Sequence, residues 1–249
     1  MRYKCKDVAF LLMARFDSID RLENALMVTG YLLKNFDANI YFWEFSSYDN
    51  GIFRRLAPKG VKYTYVHEED PVFHMAKYRN MMVKSVKEKY VSLWDIDVIA
   101  PVSQVVKSIE LLRCGVDFVY PYEKTMYDIS PEIRKFFLKS WDVDFLLQNT
   151  AFMTELYPPI CVGGAFFANR QAYINSGMDN EQFYGWGLED GERYNRWKAQ
   201  KQKLERVQGP LFHLTHSRGA NSHIPSEDSR LIKYRIYDMS IKQEEWKKC

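Results

Sequence analysis

A chain of 249 residues, 47% hydrophobic and 27% charged, is globular, and its length favours one elaborated domain over two. A formal net charge of +3 with scattered cations argues against a nucleic-acid partner, and no apolar run reaches transmembrane length. Cys5, Cys114, Cys161 and Cys249 are far apart without CxxC spacing, so they read as reduced thiols and argue against a structural zinc site.

The opening run, MRYKCKDVAFLLMARF, imitates a signal peptide. Its apolar stretch from Val8 to Ala14 is short and meets Arg15 without a small-residue cleavage pattern, so it reads as a strand buried on both faces. Asp17 or Ser18 can cap a helix over 18–36, where Leu22, Leu26, Val28 and Leu32 fall near helical spacing. Strands follow over 38–46 and 60–68, a helix over 76–90, and a strand over 90–100. Strands separated by helices imply right-handed crossovers and a mainly parallel sheet. Farther on, 132–149 reads as one helix, 157–175 as a strand running into a helix, and 209–217 as a late strand. The basic tail over 231–249 reads as an amphipathic helix packed on its own domain.

Four stretches carry chemistry. In SLWDIDVIAP, Asp95 and Asp97 lie two residues apart, which puts both carboxylates on the same face of a strand. Two acids at the carboxyl end of a parallel strand repel unless a cation compensates, and a divalent metal holding a diphosphate does so; a pair of turn caps is the plainer alternative. In LFHLTHSRG, His213 and His216 can share an ion if the strand bends or ends between them, and a mixed carboxylate–imidazole set suits manganese. In CVGGAFF, the pair Gly163 and Gly164 marks either a close approach by backbone or ligand or a β-bulge. In YGWGLEDGERYNRW, two glycines bracket Trp186, and Glu189 and Asp190 open a helix, where acids also complement the helix dipole.

The order DID, GGAFF, GWGLEDGE, HLTHSR resembles metal-dependent inverting glycosyltransferases of the GT-A fold, above all the β-1,4-galactosyltransferase family and the galactosyltransferase-like half of bacterial polysaccharide polymerases. The resemblance covers roughly residues 90 to 220. It implies an α/β fold with a mainly parallel central sheet flanked by helices. One domain would span 1–225, with a nucleotide-binding half (1–100) and an acceptor-binding half (101–225), followed by the tail 226–249. It implies Asp97 and His216 as metal ligands, with His213 at a further ligand position, and Asp95 on the ribose or on metal-bound water. Arg15, Asp17 and Glu44 would hold the uridine, and Arg79 the diphosphate. Asp190 would be the catalytic base, Glu189 would contact sugar hydroxyls, and Trp186 would line the acceptor site with the glycine pair nearby. Met75 stands where animal members carry a basic residue, so phosphate contacts would be rearranged.

The implied reaction moves a hexose, galactose or N-acetylgalactosamine, from a UDP-sugar to a glycan or lipid-linked saccharide, with Mn2+ or another divalent cation. The implied setting is bacterial polysaccharide assembly in the cytoplasm, with peripheral contact at the inner membrane surface. Two other readings use the same fold: a sugar nucleotidyltransferase and a catalytically silent glycan-binding protein. The former expects a glycine-rich loop after the first strand, where this chain reads ARFDS.

Overall fold

The structure, a computed structural model, describes residues 2–219, 224 and 226–246; Cys249 lies outside them. Its first half runs β1 (Tyr3–Ala14), α1 (Ile19–Asn35), β2 (Phe36–Ser46), α2 (Ile52–Leu56), β3 (Val61–His67), α3 (Met75–Ser85) and β4 (Tyr90–Trp94). After it come β5 (Val98–Ile99), α4 (Val102–Arg113), β6 (Phe118–Tyr120), β7 (Met126–Ile129), α5 (Pro131–Ser140), α6 (Val143–Gln148) and β8 (Thr154–Leu156). The chain continues through β9 (Ala165–Asn169), α7 (Arg170–Asn175), α8 (Glu189–Ala199), β10 (Leu204–Arg206), β11 (Leu211–Leu214) and α9 (Glu227–Trp246).

Seven strands form the main sheet in the order β10-β6-β9-β4-β1-β2-β3. The pairs β1–β2, β1–β4 and β2–β3 are parallel, while β9 runs antiparallel between β4 and β6. The signal-like run is an interior strand of this sheet, β1: Val8, Ala9, Phe10 and Leu12 are fully buried, as a strand covered on both faces requires. Ser18 caps α1, its Oγ accepting from the Arg21 amide at 3.3 Å. A second sheet, β5-β11-β7-β8, lies beside the first. Among the described residues, no helix is long and apolar enough to cross a membrane, and Cys5, Cys114 and Cys161 are free thiols.

Four expectations about elements change. The strand expected over 90–100 stops at Trp94, and Asp95–Asp97 forms a turn before β5 joins the other sheet. The Asp95 amide donates to the Gly164 carbonyl at 2.8 Å and the Trp94 indole to the Val98 carbonyl at 3.0 Å, which close that corner. The helix expected over 132–149 is two helices, because Trp141 adopts a left-handed φ of 57° and turns its ring onto Gly30 of α1. Asp142 then caps α6 through the Phe145 amide at 3.1 Å. The helix expected over 76–90 ends at Ser85, since Tyr90 is needed to pair with Val8 of β1. The expected tail helix begins earlier, at Glu227, and packs against α8.

Candidate active site

The DID turn sits where the two sheets part, at the carboxyl ends of β1 and β4, the usual ligand position in a parallel α/β sheet. A cavity of about 450 Å³ opens there. Asp95, Asp97, Gly163, Gly164, Trp186, Glu189, Asp190, His213 and His216, nine of the residues expected from sequence, line it. They come from four separate stretches of chain, and only the fold unites them.

The turn separates the two aspartates. Asp97 faces the histidines: His216 Nε2 is 3.1 Å from its Oδ2, and His213 Nε2 is 4.0 Å from the same oxygen. One ligand atom from each of the three lies within 4.8 Å of the others. β11 ends at Leu214, between the histidines, which lets both rings turn to one point. Each ring is held from behind, His213 Nδ1 by Asp128 Oδ1 at 2.7 Å and His216 Nδ1 by the Ser217 carbonyl at 2.8 Å. An acceptor at Nδ1 fixes each ring so that Nε2 is the atom it presents to Asp97. Burial pushes the Asp97 carboxyl up, but the two histidines outweigh it and hold it well below the ordinary value.

Asp95 turns instead to Arg79, whose Nη2 lies 3.2 Å from Asp95 Oδ1. Arg79, expected at the diphosphate, is 3% exposed; its Nη1 donates to Asp190 Oδ1 at 2.9 Å and reaches Asp179 Oδ2 at 3.5 Å. It therefore lies beneath the cavity, committed to carboxylates. Arg193, one helical turn after Asp190, donates to Asp190 Oδ1 at 2.6 Å and straddles both oxygens of Asp179 at 3.0 and 3.1 Å. Burial raises the Asp190 carboxyl, and the guanidiniums of Arg79 and Arg193 more than reverse this. Both bind Oδ1, whereas Oδ2 lies on the Gly163 side: a Cβ on that glycine would sit 2.9 Å from it.

Glu189 has the opposite environment. It is 4% exposed, its Oε2 is buried without a hydrogen-bond partner, and burial beside Asp190 pushes its carboxyl up to about 7. Asp95 is likewise raised by burial, to about 6. The bracketing glycines have a backbone reason: Gly185, Gly187 and Leu188 all take left-handed φ values, 82°, 105° and 71°. That path brings Trp186 to the cavity wall and starts α8 with both acids inward. Gly164, at φ 81°, has no room for a side chain between Met126, Leu211 and Val98.

The uridine set fares differently. Arg15 donates to the carbonyls of Phe45 and Pro71, both at 3.0 Å, and latches the ends of β1 and β2 to the loop after β3. Asp17 lies 3.7 Å from Arg21, and Glu44, 1% exposed, accepts from the Tyr63 hydroxyl at 3.0 Å. None of the three lines the cavity, although Arg21, Phe73 and Met75 from the same half do. Sequence reasoning missed Arg21, Asp128, Asp179 and Arg193. Only Arg193 left a signal, its i+3 spacing from Asp190 within the same helix.

Residues 145–218 match the family described as the N-terminal domain of galactosyltransferase. Among solved structures, the catalytic domain of Drosophila β1,4-galactosyltransferase 7 in complex with xylobiose superposes with a TM-score of 0.53 at 15% identity, covering 93% of this chain and 79% of that one. Glucosyl-3-phosphoglycerate synthase from Mycobacterium tuberculosis, in complex with Mn2+, UDP and phosphoglyceric acid, gives 0.53 at 13% identity, with 95% and 78% covered. No curated protein sequence matches the chain. The fold is GT-A, and the chain resembles the galactosyltransferases in the segment that carries GGAFF, GWGLEDGE and HLTHSR.

Proposed function

We propose that the protein is a metal-dependent inverting glycosyltransferase that moves a hexose, galactose or N-acetylgalactosamine, from a UDP-sugar to a saccharide acceptor, glycan or lipid-linked. The observation that carries this reading is the convergence of Asp97, His213 and His216 in one cavity with Asp190 and Glu189. The donor set fits a divalent cation: a carboxylate and two imidazoles whose Nδ1 atoms are already held by Asp128 and Ser217. Manganese and uridine diphosphate are favoured because the M. tuberculosis synthase was solved with both, and a saccharide acceptor because the Drosophila enzyme holds xylobiose.

A bound cation would supply positive charge against the departing diphosphate. Every other part of the displacement belongs to the chain. The acceptor hydroxyl lies against Asp190 Oδ2, with Oδ1 held by Arg79 and Arg193 so that the free oxygen keeps one direction. The acceptor oxygen bonds to the anomeric carbon as that carbon's bond to the diphosphate oxygen breaks on the opposite face, and the hydroxyl proton passes to Oδ2. The bond electrons leave with UDP, so configuration inverts without a covalent enzyme intermediate. Asp190 is ionised at neutral pH but is a weak base, which suits proton transfer late in the displacement, once the hydroxyl has become acidic. Glu189 accepts a neighbouring sugar hydroxyl, and Trp186 offers the sugar ring a flat face.

The test is calorimetry of UDP with and without Mn2+, alongside UDP release from UDP-galactose, UDP-N-acetylgalactosamine and UDP-glucose. Manganese-dependent binding and turnover, lost in Asp97→Ala with the fold intact, are expected. Unchanged metal-dependent affinity in that variant would sink the shared site. A requirement for a nucleoside triphosphate would favour the nucleotidyltransferase reading, and binding without turnover the silent one.

A further inference from the structure

We propose that Lys233 of α9 is a positioning residue for the acceptor site, tethering the Trp186 segment through its backbone; the inference rests on the transferase reading of that site. Lys233 is 1% exposed, unusual for a lysine, and its Nζ donates to the Trp186 carbonyl at 2.7 Å. The segment is otherwise hydrogen-bonded at its two ends, the Tyr184 hydroxyl donating to Asp70 at 2.6 Å and the Leu188 carbonyl accepting from the Glu192 amide at 3.0 Å. Residues 184–188 belong to no helix or strand, and left-handed backbone at Gly185, Gly187 and Leu188 fixes a path that glycines would readily leave. A hydrogen bond from a buried ammonium to the carbonyl between those glycines restrains the residue carrying the aromatic wall.

The tether is part of a docked face. Residues 233, 237 and 240 recur at helical spacing along α9. Tyr237 lays its ring over Gly191, where a Cβ would come within 2.6 Å, and Ser240 accepts from Asn195 at 3.3 Å. Tyr234 and Tyr237 themselves line the same cavity as Trp186 and Glu189. Burial lowers the Lys233 ammonium, and Glu189 is the acid that opposes this, so the side chain brings positive charge toward a pocket rich in carboxylates. α9 thus does more than cover α8, because it holds one acceptor wall in register with two others.

The test compares Lys233→Met, which removes the hydrogen bond and the charge, with Lys233→Gln, which keeps a donor in similar volume. Four quantities are read in the protein: Mn2+–UDP affinity by calorimetry, the thermal midpoint, and KM and kcat for transfer from UDP-galactose to a p-nitrophenyl β-glycoside panel. Lys233→Met is expected to raise the acceptor KM about tenfold, with Mn2+–UDP affinity within twofold of the parent, and Lys233→Gln to recover most of the loss. An unchanged acceptor KM in Lys233→Met overturns the tether, as does equal loss in both variants. A parallel fall in Mn2+–UDP affinity and thermal midpoint also overturns it, showing a purely structural lysine. A parent protein without metal-dependent UDP binding would instead fail the transferase reading and carry the tether's catalytic role down with it.

Discussion

Asp128 of β7 lies 2.7 Å from His213 Nδ1, and the two are cross-strand neighbours in the parallel pairing of β7 with β11. That contact orients the imidazole whose other nitrogen faces Asp97. If the three residues hold a metal, Asp128→Asn should weaken Mn2+ affinity by roughly 10- to 100-fold without removing a ligand. Titration of the chelator-stripped protein with Mn2+ measures it. Equal affinity in parent and variant would leave His213 outside the metal site.

Asp190→Asn keeps shape and most hydrogen bonding but removes basicity, so kcat should fall by roughly 10²–10⁴. UDP and metal affinity should hold. Glu189→Gln should give a mixed change in acceptor KM and kcat. Near-normal turnover by Asp190→Asn beside an inactive Glu189→Gln would reverse the two roles.

Gly163 and Gly164 are adjacent and should fail differently. Gly163 has an ordinary φ, so Gly163→Ala should fold, but its methyl would crowd Asp190 Oδ2 and lower kcat with little change in thermal midpoint. Gly164→Ala meets both a left-handed φ of 81° and contacts under 3 Å with Met126 and Leu211, so its loss should appear as stability, of the order of 1–3 kcal/mol. Thermal melts and turnover of the two variants separate these outcomes.

Glu189 gives a pH dependence with a definite sign. Its carboxyl moves from 4.5 to about 7 on folding, so the folded state binds more protons than the unfolded state between those values. Its contribution is fully present below about pH 4.5 and is lost as pH rises toward 7. Groups facing it are Asp190 on the same helix, Arg79 of α3, Asp179, and Lys233 of α9. Glu189→Gln cannot ionise, so its thermal midpoint relative to the parent should climb from pH 5 to 7.5 and then level off. A difference that stays flat across that range would mean Glu189 titrates normally.

Removing Arg193 should show what holds Asp190 ionised. Arg193→Gln leaves Asp179 and Asp190 short of a buried guanidinium and should cost roughly 3–5 kcal/mol of stability. With one fewer cation, the Asp190 carboxyl rises, so the acidic limb of the kcat profile should move to higher pH. A profile that does not move would assign the depression to Arg79 alone.

Local pattern by itself determined the parallel first half of the chain and named the chemistry-bearing stretches. Alternation and continuous apolar runs report burial one residue at a time, so β1, β2 and β3 were readable, and DID, GG, WGLED and HLTH stood out by composition. What each acid does was not readable, because that depends on neighbours distant in the chain. The DID carboxylates look equivalent in sequence, but the corner between two sheets sends Asp95 to Arg79 and Asp97 to the histidines. The family resemblance points to Arg79 as a diphosphate ligand, yet packing buries it under Asp190, 111 residues away. Asp128 and Lys233 carried no local signal, since a strand pairing and a helix docking bring them to His213 and Trp186. Periodicity encodes which side of an element is buried, while charge pairing and pKa arise from three-dimensional proximity, which only the tertiary structure decides.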